Sequence, residues 1–170
     1  PWAGILAGGS GTRFWPLSSP SRPKQRLPLG GHRSSAEDTV DRLTGFIPPE
    51  RVLVVAGRNL ADRLMERLTV PRENFLIEPR AASTGPALVW ATNEASRRDP
   101  GASVLSMHAD WIVRDPAAFV AAAASALEAA ETHRRLITVG IVPSRPETGF
   151  GYIVPGERLD GASRVVERFV

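Results

Sequence analysis

Short apolar runs alternate with longer amphipathic stretches along this chain of 170 residues. Runs of four to six mainly apolar residues are typical of strands that are buried on both faces of a parallel sheet. The predicted strands are 2–7, 51–56, 74–77, 102–107 and 136–141. The stretches with helical spacing, delimited by cap residues and prolines, predict helices at about 34–46, 59–68, 83–98 and 115–132.

Local signals fix two of the helix starts. Ser34 followed by Glu37 has the spacing of a capping box, in which each residue satisfies an amide of the other. Asp115 precedes Pro116, which is the usual order of an N-cap and a first helical residue. The alternation of strands and helices predicts an α/β fold, with a Rossmann-like, mostly parallel sheet flanked by helices on both faces.

The end of the chain has a different pattern. Residues 151–154 and 163–170 are predicted as short strands, which we expect to extend the sheet in antiparallel fashion. The chain length fits one domain that covers residues 1–170. The first residue is Pro1 and a strand is predicted directly after it, so we expect a trimmed chain.

A glycine-rich loop follows the first predicted strand. Gly8, Gly9 and Gly11 can adopt positive φ and let backbone amides approach a phosphate closely. Arg13 can grip phosphate oxygens with two parallel hydrogen bonds, and Lys24 can add a point charge. The loop is neither a Walker A loop, which needs Gly-Lys-Ser/Thr, nor a dinucleotide fingerprint, since position 14 is not glycine. The pattern favours a nucleoside triphosphate.

Composition excludes several other classes. The formal net charge is only +3 without a continuous basic block, so nucleic-acid binding is not expected. No apolar run approaches the roughly 20 residues that cross a bilayer, so no membrane partner is expected. The absence of cysteine excludes disulfides and thiolate metal sites.

Four motifs in order resemble the sugar nucleotidyltransferase family. The family signature G-x-G-x-R-x-x-P-L is matched from Gly9 to Leu17, with Pro23-Lys24 shortly after. The other matches are 78–80 with 84–87, 107–110 and 146–153. Within the family, the residues after Arg13 are most similar to those of the bacterial mannose-1-phosphate guanylyltransferases, also called GDP-mannose pyrophosphorylases. The chain resembles their N-terminal part.

The resemblance implies transfer of a nucleotidyl group from GTP to mannose 1-phosphate, with Mg²⁺ as cofactor, in the cytoplasm; a homodimer is left open. It implies catalytic roles for Arg13 and Lys24 and a metal ligand in Asp110. It implies a nucleotide site at Leu6, Ala7, Gly8, Gly9, Ser10, Gly11, Thr12, Pro79, Thr84 and Gly85, and sugar contacts at Glu147 and Gly149. In complete relatives a Phe-x-Glu-Lys-Pro motif and a second metal-binding aspartate follow beyond the segment matched here, so we expect a chain truncated on its sugar-binding side.

Alternatives remain open at each level. Asp110 is also explained as a helix cap or turn residue, His108 as a structural histidine, and the glycines near Glu147 as a turn with positive φ. For the whole chain the alternatives are a thymidylyl- or uridylyltransferase acting on glucose 1-phosphate, a non-catalytic nucleotide-sugar sensor, and an unrelated Rossmann-like binding domain.

Overall fold

The computed structural model describes residues 1–8, 33–80 and 82–170, and four parallel strands form its main sheet. The strands are β1 (Trp2–Leu6), β2 (Val52–Gly57), β3 (Phe75–Glu78) and β4 (Val104–His108). Their order across the sheet is β3-β2-β1-β4, and all three pairings are parallel. The predicted α/β class with a parallel central sheet is therefore confirmed.

Helices cover both faces of this sheet. They are α1 (Ser35–Asp41), α2 (Arg58–Met65), α3 (Thr84–Arg98) and α4 (Pro116–His133). Because side chains alternate along a strand, Ala3 and Ile5 of β1 pack in one buried cluster with residues of α1 and α2. Trp2 and Leu6 pack in a second cluster with the alanines of α3. This arrangement explains why the strands of the centre read as continuous apolar runs.

The helix starts agree with the sequence signals. The Ser34 hydroxyl accepts from the Glu37 amide, and the Glu37 carboxylate accepts from the Ser34 amide at 2.9 Å, which completes the capping box. The Asp115 carboxylate accepts from the Ala118 amide at 2.9 Å. Helix α1 ends at Asp41, five residues before the predicted end, because the chain then tightens into turns and reaches positive φ at Gly45.

Glycine at position 4 allows helix α3 to lie close to β1. A Cβ built on Gly4 would be 3.3 Å from the Cβ of Ala91 and 3.8 Å from Cγ1 of Val104. Ala91 is completely buried at this contact. The small residues on both sides therefore set the distance between the helix and the sheet.

Asn74 ties together three segments at the amino ends of the strands. Its side chain is 1% exposed. The amide Nδ2 donates to the carbonyl of Pro49 at 3.3 Å and to that of Glu50 at 3.0 Å, both next to the start of β2. The Oδ1 atom accepts from Nη1 of Arg98, the last residue of α3, at 2.5 Å. One side chain thus connects β2, β3 and α3.

Two predictions for the second half of the chain need correction. Residues 136–141 form no strand, since no strand among the described residues pairs with them, and Leu136 and Ile141 are largely exposed. The last two strands, β5 (Ile153–Asp160) and β6 (Ser163–Phe169), are antiparallel as predicted but form a separate two-stranded sheet. The two strands pair with each other across a two-residue turn, and no described strand of the main sheet pairs with either of them.

Candidate active site

The carboxyl edge of the main sheet contains a topological switch point between β1 and β4. From β1 the chain moves to β2 and β3 on one side, and then returns past β1 to place β4 on the other side. In open α/β sheets the crevice at such a point is the usual place of a ligand. Here Leu6 pairs with His108, and the Ala109 amide donates to the carbonyl of Leu6 at 3.1 Å. The segments that begin with Ala7 and Ala109 therefore leave the sheet side by side.

The start of the glycine-rich loop lies at this edge. Leu6 is buried as the last residue of β1, Ala7 continues the pairing by donating to the carbonyl of Val55, and Gly8 is exposed. The backbone of Gly8 does not adopt the positive φ that a glycine allows at this position. The remaining predicted residues of the loop, which are Gly9, Ser10, Gly11, Thr12, Arg13 and Lys24, lie outside the described residues.

Glu78 reaches across the carboxyl edge from β3. A Cβ on Gly8 would be 3.3 Å from Oε2 of Glu78, although β2 lies between their strands. The last residue of β2 is Gly57, and no atom of residues 1–8, 33–80 or 82–170 lies within 4 Å of a Cβ built there. In the sequence, only the family motif at residues 78–80 indicates that Glu78 lies near a nucleotide. The structure brings its half-buried carboxylate next to the glycine loop.

The connection from β3 to α3 carries the next group of predicted residues. Pro79 is exposed just after β3, and Thr84 and Gly85 are the first two residues of α3. The N-cap residue Ser83 has φ 71 and ψ 176, a conformation that is rare without glycine, and its side chain makes no capping hydrogen bond. The N-terminus of α3, which is the positive end of the helix dipole, therefore follows β3 without a cap from the Ser83 side chain.

Asp110 occupies a turn directly after β4. It is half-buried and does not cap a helix, because the N-cap of α4 is Asp115. Among the described residues, no three acidic or histidine side chains converge into a metal site. A single carboxylate still fits Mg²⁺, since this ion commonly takes one or two carboxylates and completes its coordination with water and substrate phosphates.

An aromatic and cationic cluster, which the sequence analysis did not identify, supports the turn of Asp110. The Trp111 ring lies 5.5 Å from the His108 ring and 6.3 Å from the Phe119 ring. The guanidinium of Arg42 lies 5.3 Å from the centre of the Phe119 ring, and its Nη2 donates to the Trp111 carbonyl at 3.5 Å. Burial lowers the pKa of Arg42, against the charge of Asp38, which raises it. His108 therefore has a packing role at least.

The loop around Glu147 is organised by local bonds. The Tyr152 hydroxyl accepts from the Glu147 amide at 2.7 Å and donates to the Glu147 carbonyl at 3.0 Å. The Glu147 carboxylate accepts from the Gly149 amide and from Arg145, each at 3.3 Å. The turn is therefore real, but neither Gly149 nor Gly151 has positive φ, so that part of the turn interpretation is wrong.

The same loop forms an open crevice of about 580 Å³ that is lined by residues 143–148 and Tyr152. The described contacts of the Glu147 side chain are all within this loop. A sugar-binding role for Glu147 and Gly149 stays a prediction.

This combination of a parallel sheet, a switch point and a glycine loop is found in nucleotide-binding α/β proteins. The chain belongs to the nucleotidyl transferase family, whose model matches residues 3–170.

Among individual relatives, the Xanthan biosynthesis protein XanB of Xanthomonas campestris pv. campestris is 42% identical over 169 residues, which is 98% of this chain and 35% of that protein. The mannose-1-phosphate guanylyltransferase of Escherichia coli K12 is 38% identical over 95% of this chain and 34% of its own length. A crystal structure described as a mannose-1-phosphate geranyltransferase from Thermus thermophilus superposes with a TM-score of 0.84 at 34% identity, over 99% of this chain and 49% of that one.

The family predicted from the four motifs is thereby confirmed. The chain spans about a third of the length of the curated relatives it matches. Within the described part of the chain, no helix is long and apolar enough to span a membrane.

Proposed function

We propose that this chain forms the nucleotide-binding part of a mannose-1-phosphate guanylyltransferase, which joins GTP to mannose 1-phosphate and releases pyrophosphate. The observation that carries the proposal is the placement of Gly8 and Asp110 on the two sides of the switch point. Gly8 begins the glycine-rich loop, which suits a polyphosphate, and Asp110 offers a carboxylate, which suits a cation bound to that polyphosphate. Both substrates are cytoplasmic metabolites, which places the activity in the cytoplasm.

The reaction is a direct transfer between two phosphates. An oxygen of the sugar phosphate attacks the α-phosphorus of GTP, a new P–O bond forms, and the bond from the α-phosphorus to the bridging oxygen of the β-phosphate breaks. The electron pair leaves with pyrophosphate. Because the attacking oxygen is already anionic near neutral pH, the protein needs no general base. Its task is to hold two anions together and to stabilise the charge on the leaving group.

The chain supplies cationic and backbone donors for this task. We assign Arg13 to the leaving pyrophosphate, Lys24 to the reacting phosphates, and the amides from Gly8 to Thr12 to phosphate binding. The uncapped N-terminus of α3 adds positive potential at the same edge. Asp110 would hold Mg²⁺, which when bound neutralises phosphate charge.

Glu78 supports guanine as the base. Guanine presents two adjacent donors, N1–H and N2–H, and a carboxylate can accept both. Uracil and thymine present one donor between two acceptors, which a carboxylate would repel. The Glu78 carboxylate is next to Gly8, so it lies within the nucleotide site that we propose. Glu147 is assigned to hydroxyls of the sugar, for which its remaining acceptor positions suffice.

The proposal is tested by pyrophosphate release from the purified full-length protein, with GTP, UTP or dTTP and with mannose 1-phosphate or glucose 1-phosphate. We expect the highest kcat/KM by far with GTP and mannose 1-phosphate. Arg13→Ala should lose about 10²- to 10³-fold in kcat, whereas Arg97→Ala, on the exposed side of α3, should not. Near-normal turnover in Arg13→Ala would refute the assignment.

The base assignment has its own test. Charge-assisted hydrogen bonds contribute about 1.5–3 kcal/mol each, so Glu78→Gln should reduce kcat/KM for GTP about 10- to 100-fold relative to UTP. Glu66→Gln, at an exposed position after α2, is the matched control. An unchanged ratio would remove Glu78 from base recognition.

A protein that binds GDP-mannose but releases no pyrophosphate would instead be a sensor.

A further inference from the structure

Arg42 is a largely buried arginine whose guanidinium is only partly satisfied by the described residues. The residue is 9% exposed and follows the last turn of α1. Its Nη1 atom is buried and has no hydrogen-bond partner among the described residues. Taking a charge out of water costs several kcal/mol unless partners compensate for it. A neutral side chain of similar length could fill this space at lower cost, so the guanidinium calls for another explanation.

Apart from the nearby charge of Asp38 on α1, the described contacts of the guanidinium are with the segment after β4 and with α4. Nη2 donates to the carbonyl of Trp111, 69 residues away in the chain. The cation also lies over the Phe119 ring, which contacts the edge of the Trp111 ring. Trp111 in turn lies against His108, the last residue of β4. Arg42 therefore touches Trp111, which lies within the segment that connects β4 to α4 and directly follows Asp110, and it also touches Phe119 in α4.

We propose that Arg42 is a positioning residue, whose guanidinium holds the turn that carries Asp110 and so fixes the carboxylate at the nucleotide site. The bond to the Trp111 carbonyl fixes the backbone one residue after Asp110, and the ring contacts fix the side chain of that same residue. The part of the proposal that concerns a cation rests on the function proposed above.

A purely structural role is the competing explanation. An arginine at the C-terminus of a helix interacts favourably with the helix dipole, and Arg42 also packs on the core. Such a role predicts lower stability without a specific effect on the turn or on cation binding. We therefore use two measurements that a purely structural role would leave unchanged, which are local hydrogen exchange in the turn and the affinity for Mn²⁺.

The first readout is hydrogen exchange of the amides in residues 109–114, measured by mass spectrometry. In Arg42→Gln we expect faster exchange in this segment, with little change in β1 and β2. Arg97→Gln, an exposed arginine on α3, serves as the control. Exchange that is unchanged in 109–114, or that rises equally throughout the chain, would overturn the proposal. This measurement needs no metal and no substrate.

The second readout is the affinity for Mn²⁺, titrated by electron paramagnetic resonance with GTP present and sugar phosphate absent. Loss of a residue that orients a metal ligand typically costs 10- to 100-fold in affinity, and we expect this loss in Arg42→Gln. Because Arg42 acts through Asp110, the double variant with Asp110→Asn should bind no more weakly than Asp110→Asn alone. Where Asp110→Asn weakens binding, an affinity of Arg42→Gln within twofold of that of the unmodified protein would overturn the proposal.

The two proposals fail in different ways. If Asp110→Asn keeps the original Mn²⁺ affinity, the metal assignment under the proposed function is wrong, and hydrogen exchange alone decides whether Arg42 holds the turn. If Arg42→Gln does not fold, Arg42→Lys keeps the charge and the stem but loses the second donor branch of the guanidinium. It is then measured in both assays, with an intermediate effect expected and no effect counting against the proposal.

Discussion

Asn74 provides the sharpest test of how this fold is held together. The substitution Asn74→Ala removes a buried amide that makes three hydrogen bonds. Each bond to a backbone carbonyl contributes about 0.5–1.5 kcal/mol, and the bond from Arg98 carries a charge and contributes about 1.5–3 kcal/mol. Arg98 keeps its bonds to Glu94 and to the Glu73 carbonyl, so only part of its energy is lost. We therefore expect a loss of about 3 kcal/mol.

The assay is urea unfolding, followed by circular dichroism and by tryptophan fluorescence. For an m-value of about 2 kcal/mol per M, the midpoint should fall by about 1.5 M. Asn93→Ala, an exposed asparagine on α3, is the matched control, and helix propensity predicts that it changes stability by less than about 1 kcal/mol. Asn74→Asp keeps an acceptor for Arg98, which is then charged, but turns an oxygen toward the carbonyls of Pro49 and Glu50, so a loss of stability in this variant reports the loss of the backbone bonds.

A double-mutant cycle tests the Arg98 bond itself. The coupling energy between Asn74→Ala and Arg98→Ala should exceed about 0.5 kcal/mol, as expected for residues in contact. A midpoint that shifts by less than 0.3 M, roughly 0.6 kcal/mol at this m-value, would refute the view that Asn74 connects the three segments. Additive effects in the cycle would refute the Arg98 part alone.

Three further predictions follow from local contacts. Arg97 and Arg98 lower the pKa of Glu94 from 4.5 to about 2, so their pairing stabilises the fold fully above pH 4.5 and is lost as the pH falls toward 2. Glu94→Gln should therefore lower the free energy of unfolding by about 1 kcal/mol at pH 7. It should also make that free energy depend less on pH between pH 4.5 and 2, as measured by urea unfolding between pH 7 and 2. Equal acid sensitivity in the variant would contradict this. Asp115→Ala should cost about 1 kcal/mol through loss of the α4 cap, and Asp115→Asn should restore most of it, as judged by thermal unfolding. Gly4→Val should lower the free energy of unfolding by about 1–3 kcal/mol, because the larger side chain forces α3 away from β1. Gly57→Val is the control, since no described atom is near that position, and it should not cause this loss. Equal losses in the two variants would show that crowding is not the cause.

The parts of the fold that follow from local rules could be predicted from the sequence. The capping box at Ser34 and the cap at Asp115 are set by side chains within three residues, and both are observed. The buried strands are recognisable because helices cover both faces of the sheet. Consecutive residues along a strand, such as those around Val54, must therefore all be apolar. Residues 136–141 have the same apolar pattern, yet a strand also needs a neighbour, and a single sequence does not show whether one is available.

The parts of the site that depend on distant contacts could not be predicted. Motifs pointed to Glu78 and Asp110, and the structure places both at the carboxyl edge of the sheet. The role of Arg42 had no sequence signal, because its partners Trp111 and Phe119 lie far away in the chain and an arginine near a helix end is common. The conformation of Ser83 was equally hidden, since serine at an N-cap normally has extended backbone with negative φ.

The pairing of β1 with β4 has a consequence for the order in which the molecule matures. Trp2 is opposite Val104, so this pairing closes a loop of about a hundred residues, whereas Ala3 is opposite Val52. Closing a longer loop costs more entropy and slows its formation. An intermediate that has assembled the first three strands but not the fourth would have the end of β1 in place before Asp110 arrives beside it, so the edge of the sheet between β1 and β4 should be among the last parts of the main sheet to form.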